Sequence, residues 1–91
     1  MSHKQILKII EEIRVSVPNA VQLFTNGKCL DFFFILNAII PNAVAYYDGN
    51  HVITKIGDRY YDIIGEVKKL NHLPMIVHYP NQLKYRDLNY E

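Results

Sequence analysis

Apolar residues recur at Ile6, Ile9, Ile10, Ile13 and Val17, the spacing of one helix face. Lys4, Lys8, Glu11, Glu12 and Arg14 take the remaining positions, so the pattern predicts a helix from about Ser2 to Val15. Ser2 and Gln5 form an S-x-x-Q capping box at its start. Pro18 interrupts the chain, and Asn19 to Phe24 predicts a short helical turn with Val21 and Phe24 facing inward. Thr25–Asn26–Gly27 reads as a loop by composition. From Lys28 to Ile39 the chain is apolar nearly all round, interrupted only by Asp31 and Asn37. A helix of that kind is buried on most sides, which makes it the expected central element. Pro41 ends it.

The periodicity then changes to that of strands. Ala43 to Tyr47, His51 to Ile56 and Arg59 to Ile64 predict three short strands, joined by Asp48–Gly49–Asn50 and Gly57–Asp58. Both connections are strong hairpin signals, so the strands form an antiparallel meander. Past Gly65 the signals weaken. Glu66–Leu70 is read as a strand extension or a turn, and Asn71–Pro74 as a loop. Met75–Tyr79 is read as a short edge strand, and Pro80 to Leu88 as a helix anchored by Leu83 and Leu88. The expected architecture is α+β: an N-terminal helix and a buried central helix packed on a small antiparallel meander. Residues 1–91 are read as a single domain, the expectation at this length.

Composition narrows the function classes. Hydrophobic residues make up 49% and charged residues 21%, a globular balance rather than a disordered one. The net charge is +1 and the basic residues are scattered, Lys68–Lys69 being the only adjacent pair. That argues against nucleic acid as a partner, which needs a basic stripe or patch. The longest apolar run, Phe32–Leu36, is far short of the ~20 residues of a membrane span. A lone cysteine and no recognisable leader read as a cytoplasmic protein with no membrane partner. Seven tyrosines suit a protein-binding surface, and a homo-oligomer is compatible with so small a chain.

The lone cysteine, Cys29, falls in the first turn of the apolar helix. Unpaired backbone N–H groups and the positive end of the helix dipole meet there, a setting that activates thiols. Centring the second hairpin on Gly57–Asp58 makes opposed residues sum to 115. His51 then opposes Ile64, and Ile53 opposes Asp62. His51 and Asp62 become diagonal neighbours, ~7–8 Å apart by backbone and within side-chain reach. The same face carries Ile53, Tyr60 and Ile64, an apolar set expected to pack on the central helix. Cys29, His51 and Asp62 follow the order of a thiol nucleophile, its base and the group that orients the base. His72 and His78 match no zinc spacing with Cys29 or His51, and no metal or cofactor is expected.

The run Gly27-Lys28-Cys29-Leu30-Asp31-Phe32, with His51-Val52 and Tyr60-Tyr61-Asp62-Ile63-Ile64-Gly65, resembles the transglutaminase-like and papain-like cysteine peptidase superfamily. Small bacterial and bacteriophage proteins carry a similar run. The resemblance covers about Gly27 to Gly65. It implies Cys29 as nucleophile, His51 as general base and then acid, and Asp62 as the residue that orients the imidazole. It also implies a carboxamide oxyanion donor shortly before the cysteine, for which Gln22 and Asn26 are the candidates. The sequence departs from the family in Phe33, where a small residue is common, and in Val52, where an aromatic is common. The function implied is a thiol-dependent amide hydrolase or acyl transferase acting on a protein or peptide. The alternative is a non-catalytic phage-type anti-defence protein that binds a host protein or small ligand on the same scaffold. A phage-encoded protein of either kind works in the host cytoplasm.

Overall fold

Helix α1 (His3–Ser16) starts where the capping pair places it. Gln5 N–H donates to Ser2 Oγ at 3.2 Å, and Ser2 N–H donates to Gln5 Oε1 at 2.8 Å. A computed structural model describes residues 1–77. After α1 it contains α2 (Ala20–Thr25), α3 (Cys29–Ile39), β1 (Val44–Tyr47), β2 (Val52–Ile56), β3 (Arg59–Asp62), β4 (Gly65–Val67) and β5 (Leu73–Pro74). The sheet order is β4-β3-β2-β1-β5, and every neighbouring pair is antiparallel. The fold is α+β, as the periodicity implies. The part of the expected edge strand beyond Val77, the expected helix from Pro80, and His78 lie outside the described residues.

The core lies between the helices and one face of the sheet. Ile6 and Ile10 of α1, Phe24 of α2, and Phe32, Phe33 and Leu36 of α3 meet Ala45, Val52, Ile56, Tyr61 and Ile63. Within α2 it is Ala20 and Phe24 that are buried, whereas Val21 is exposed. Asn19, in the left-handed conformation, is the N-cap of α2, and the buried face runs through Ala20 and Phe24, four residues apart, which leaves Val21 outside it. Helix α3 is less enclosed than its sequence implies, because Ile39 is 47% exposed in an open hollow that it lines with Ile9 and Ile13 of α1.

The sheet corrects the sequence reading in three places. The face that packs on the helices carries Val52, Ile56, Tyr61 and Ile63, not the set containing Ile53, Tyr60 and Ile64. Val52, Ile53 and Thr54 are all buried, so the apolar pattern of β2 does not distinguish its faces. Second, β3 ends at Asp62, and Ile63–Ile64 form a two-residue turn into β4, pairing Asp62 with Gly65. Two β-branched residues give no turn signal. The turn closes because Asp62 Oδ1 accepts the Ile64 N–H at 2.8 Å and Gly65 takes φ +133°. Third, the edge strand is Leu73–Pro74, in the segment expected to be a loop, paired with Tyr47 and Tyr46. Proline is tolerated there because an edge strand leaves one side of the backbone unpaired.

Arg14 ties the end of α1 to the new turn. Its Nη1 donates to the Ile63 carbonyl at 2.8 Å from a half-buried position. Arg14→Met keeps the apolar stem and removes the donor. We expect a loss of about 1–2 kcal/mol, read as a lower urea midpoint. An unchanged midpoint would mean that the turn holds without the clamp.

At the opposite end of α1, His3 Nδ1 lies 2.8 Å from the Tyr61 hydroxyl. Burial raises the Tyr61 pKa above its usual value. Glu66 faces the other imidazole nitrogen at 3.6 Å and pairs with Arg59 at 3.0 Å.

Candidate thiol and imidazole site

The β1–β2 connection builds the first part of the site. Asp48 folds back on its own loop, and its Oδ1 accepts the N–H of Asn50 at 2.9 Å and of His51 at 2.8 Å. These two N–H groups, His51 the stronger, hold the Asp48 carboxyl below its usual pKa. The bonds keep His51 in the loop, so β2 begins at Val52 and not at His51 as the alternation suggested.

His51 Nε2 stands 3.2 Å from Asp62 Oδ2. Asp62 is only 7% exposed, and its other oxygen is occupied by the Ile64 N–H. One carboxylate therefore ends β3, closes the next turn and faces the imidazole. An ionised Asp62 accepts the Nε2 proton, which leaves Nδ1 as the ring nitrogen free to act as a base.

Cys29 is the first residue of α3 and is half-buried. Thr54↔Tyr61 is the last β2–β3 pair at this end of the sheet. Two residues beyond it, the Val52 N–H donates to Cys29 Sγ at 3.3 Å. Such a bond strengthens when the acceptor carries negative charge. The sulfur thus contacts the backbone of the residue that follows His51, and His51 contacts Asp62. On either side of Cys29, Lys28 and Asp31 form an exposed pair at 4.0 Å, of little energetic weight.

An open hollow adjoins these residues. It is lined by Thr25, Asn26 and Gly27 from the α2–α3 loop and by Asn50 and His51 from the hairpin. Asn26 lines it beside His51. Gln22 lies on the exposed side of α2, and its carbonyl accepts the Asn26 N–H at 3.1 Å. Neither Gln22 nor Cys29 is among the lining residues. Among the described residues, no three His, Cys, Asp or Glu side chains are grouped to hold a metal ion.

His72 is the residue that sequence reasoning missed. It is buried, its Nδ1 accepts the Leu70 N–H at 3.2 Å, and its Nε2 stands 3.5 Å from Asp48 Oδ2. The signal available in the sequence was Asp48 itself, whose hairpin role uses only one carboxylate oxygen. Nothing in the sequence says which distant residue faces the other.

A family model described as Phage YunG-like protein matches residues 6–90. Comparison with curated proteins and with solved structures finds no match. Among the described residues, no helix is long and apolar enough to cross a membrane.

Proposed function

The chain belongs to the Phage YunG-like protein family, and we propose that it is a thiol-dependent amide hydrolase or acyl transferase. One observation carries this reading: His51 is held by Asp62 at 3.2 Å, and the next residue's N–H holds the Cys29 sulfur. The likeness of these segments to transglutaminase-like and papain-like enzymes points the same way. Cys29 Sγ attacks an amide carbonyl of a protein or peptide, and its proton passes to His51 Nδ1. Collapse of the tetrahedral adduct breaks the C–N bond, and the departing amine takes the proton from His51. Water or a second amine, deprotonated by His51, then releases the acyl group from the thioester. N–H groups in the first turn of α3 can bind the oxyanion, assisted by the carboxamide of Asn26 or Gln22.

Alkylation of Cys29 under native conditions tests the pairing without a known substrate. His51→Ala should slow the reaction about tenfold or more near neutral pH, since the base that accepts the thiol proton is gone. Equal rates in the two proteins would sink the proposal, provided that both unfold at the same denaturant midpoint.

A second reading is a phage-type inhibitor that binds a host protein in the host cytoplasm. It is favoured by the exposed apolar pair Tyr47 and Leu73, opposed across β1 and β5. Isolated exposed apolar residues are ordinary, whereas a contiguous group marks a contact surface. Inhibition that survives Cys29→Ala would favour this reading over the enzyme.

A further inference from the structure

Besides His3–Glu66 and His51–Asp62, the described residues contain a third imidazole–carboxylate pair, His72 with Asp48, joined to His51 through its backbone N–H. Asp48 uses both oxygens: Oδ1 takes the N–H groups of Asn50 and His51, and Oδ2 faces His72 Nε2 at 3.5 Å. His72 Nδ1 accepts the Leu70 N–H, so the ring proton of the neutral imidazole resides on Nε2 and points at the carboxylate. That Nε2 is buried and has no hydrogen-bond partner among the described residues, the carboxylate standing 3.5 Å away without a hydrogen bond. A buried donor without a partner is costly. A small movement of Asp48 toward His72 would relieve it, and a movement away would strand it further. The segment from Leu70 to His72 thus biases the position of Asp48, and Asp48 sets the backbone of His51.

We propose that Asp48 and His72 are positioning residues for His51. They fix the loop from which the imidazole reaches Asp62, through a relay of buried imidazole, carboxylate and backbone N–H. The functional consequence rests on the thiol reading of Cys29 and His51, but the relay itself does not. Protonating His72 would place a hydrogen on Nδ1 and displace the Leu70 N–H, so the relay as built uses the neutral ring. The charged or titratable groups facing it are Asp48 from the hairpin and, through the His51 backbone, the His51–Asp62 pair.

Two pairs of variants test the relay. Asp48→Ala removes both acceptors, whereas Asp48→Asn keeps a side-chain oxygen for the two N–H groups. His72→Leu removes the imidazole, whereas a glutamine in His72→Gln can accept from Leu70 and donate to Asp48. Hydrogen exchange at the His51 and Asn50 amides should quicken about tenfold or more in Asp48→Ala, the factor expected when a bond to a charged group is lost. It should quicken less in Asp48→Asn. Native Cys29 alkylation should slow in Asp48→Ala and His72→Leu toward the rate of His51→Ala, recover in His72→Gln, and recover only in part in Asp48→Asn, whose oxygen keeps the two N–H groups while its NH2 faces the His72 donor. A merely structural role would lower stability in all four and leave alkylation of the folded protein unmoved. Unchanged amide exchange at His51 in Asp48→Ala or in His72→Leu overturns the relay, as does alkylation unaffected by His72→Leu where His51→Ala slows it. If wild type and His51→Ala alkylate equally, the thiol reading fails, and amide exchange still decides whether Asp48 and His72 position His51.

Discussion

Replacing Phe33 with alanine is expected to lower the unfolding free energy by about 3–5 kcal/mol, the range for truncating a fully buried phenylalanine. Phe33 is 1% exposed at the centre of α3, facing the sheet through the cluster that includes Leu36, Val52 and Tyr61. Domains have about 5–15 kcal/mol of stability in total, and small ones have the least core to spare. The variant should therefore lose a third or more of its stability, seen as a drop of roughly 2 M or more in the urea midpoint. Phe34→Ala should cost clearly less, because Phe34 is only half-buried at the margin of the core. Ile39→Ala should cost under about 1 kcal/mol at its exposed site. If the three substitutions cost the same, α3 does not have the orientation described.

That gradient along α3 also shows where the sequence stops being informative. Three consecutive phenylalanines identify a buried helix, yet no periodicity survives in such a run to say which ring faces the sheet. The same loss of contrast affects β2, where Val52, Ile53 and Thr54 are buried together and the inward face was misassigned. Local chemistry was more legible. Ser2 and Gln5 cap α1 reciprocally, as their spacing requires. Gly57–Asp58 sets pairs that sum to 115, including Ile56↔Arg59 and Thr54↔Tyr61. A two-residue turn leaves little freedom in register, so one glycine specifies three pairs of ladder. The Ile63–Ile64 turn was illegible because its cause lies in the Asp62 side chain and not in the turn residues. His72 was illegible for a related reason, since its partner Asp48 is distant in sequence and meets it only because β5 pairs with β1.

Asp62 is thus asked to do two things, and one substitution separates them. Asp62→Asn keeps a side-chain oxygen, and that oxygen can still accept the Ile64 N–H that closes the turn into β4. Its other group becomes an NH2, which donates. Facing a donor, His51 Nε2 must present its lone pair, and the ring proton moves to Nδ1. The nitrogen that the proposal assigns to the Cys29 proton is then already protonated and cannot accept it. Under the thiol reading, turnover should fall on the order of 10³–10⁴-fold while the fold persists, since losing the orienting carboxylate fixes the wrong tautomer. Asp62→Ala should behave differently, because it also strands the Ile64 N–H and costs about 1–3 kcal/mol of stability. Nitrogen NMR of the His51 ring gives the tautomer directly and needs no substrate. An Nε2-protonated ring in Asp62→Asn would show that Asp62 does not set the tautomer. A ring that switches to Nδ1–H while Cys29 alkylates as fast as in wild type would show that His51 does not serve the thiol. The first result removes Asp62 from the proposed chemistry, and the second removes the Cys29–His51 pair.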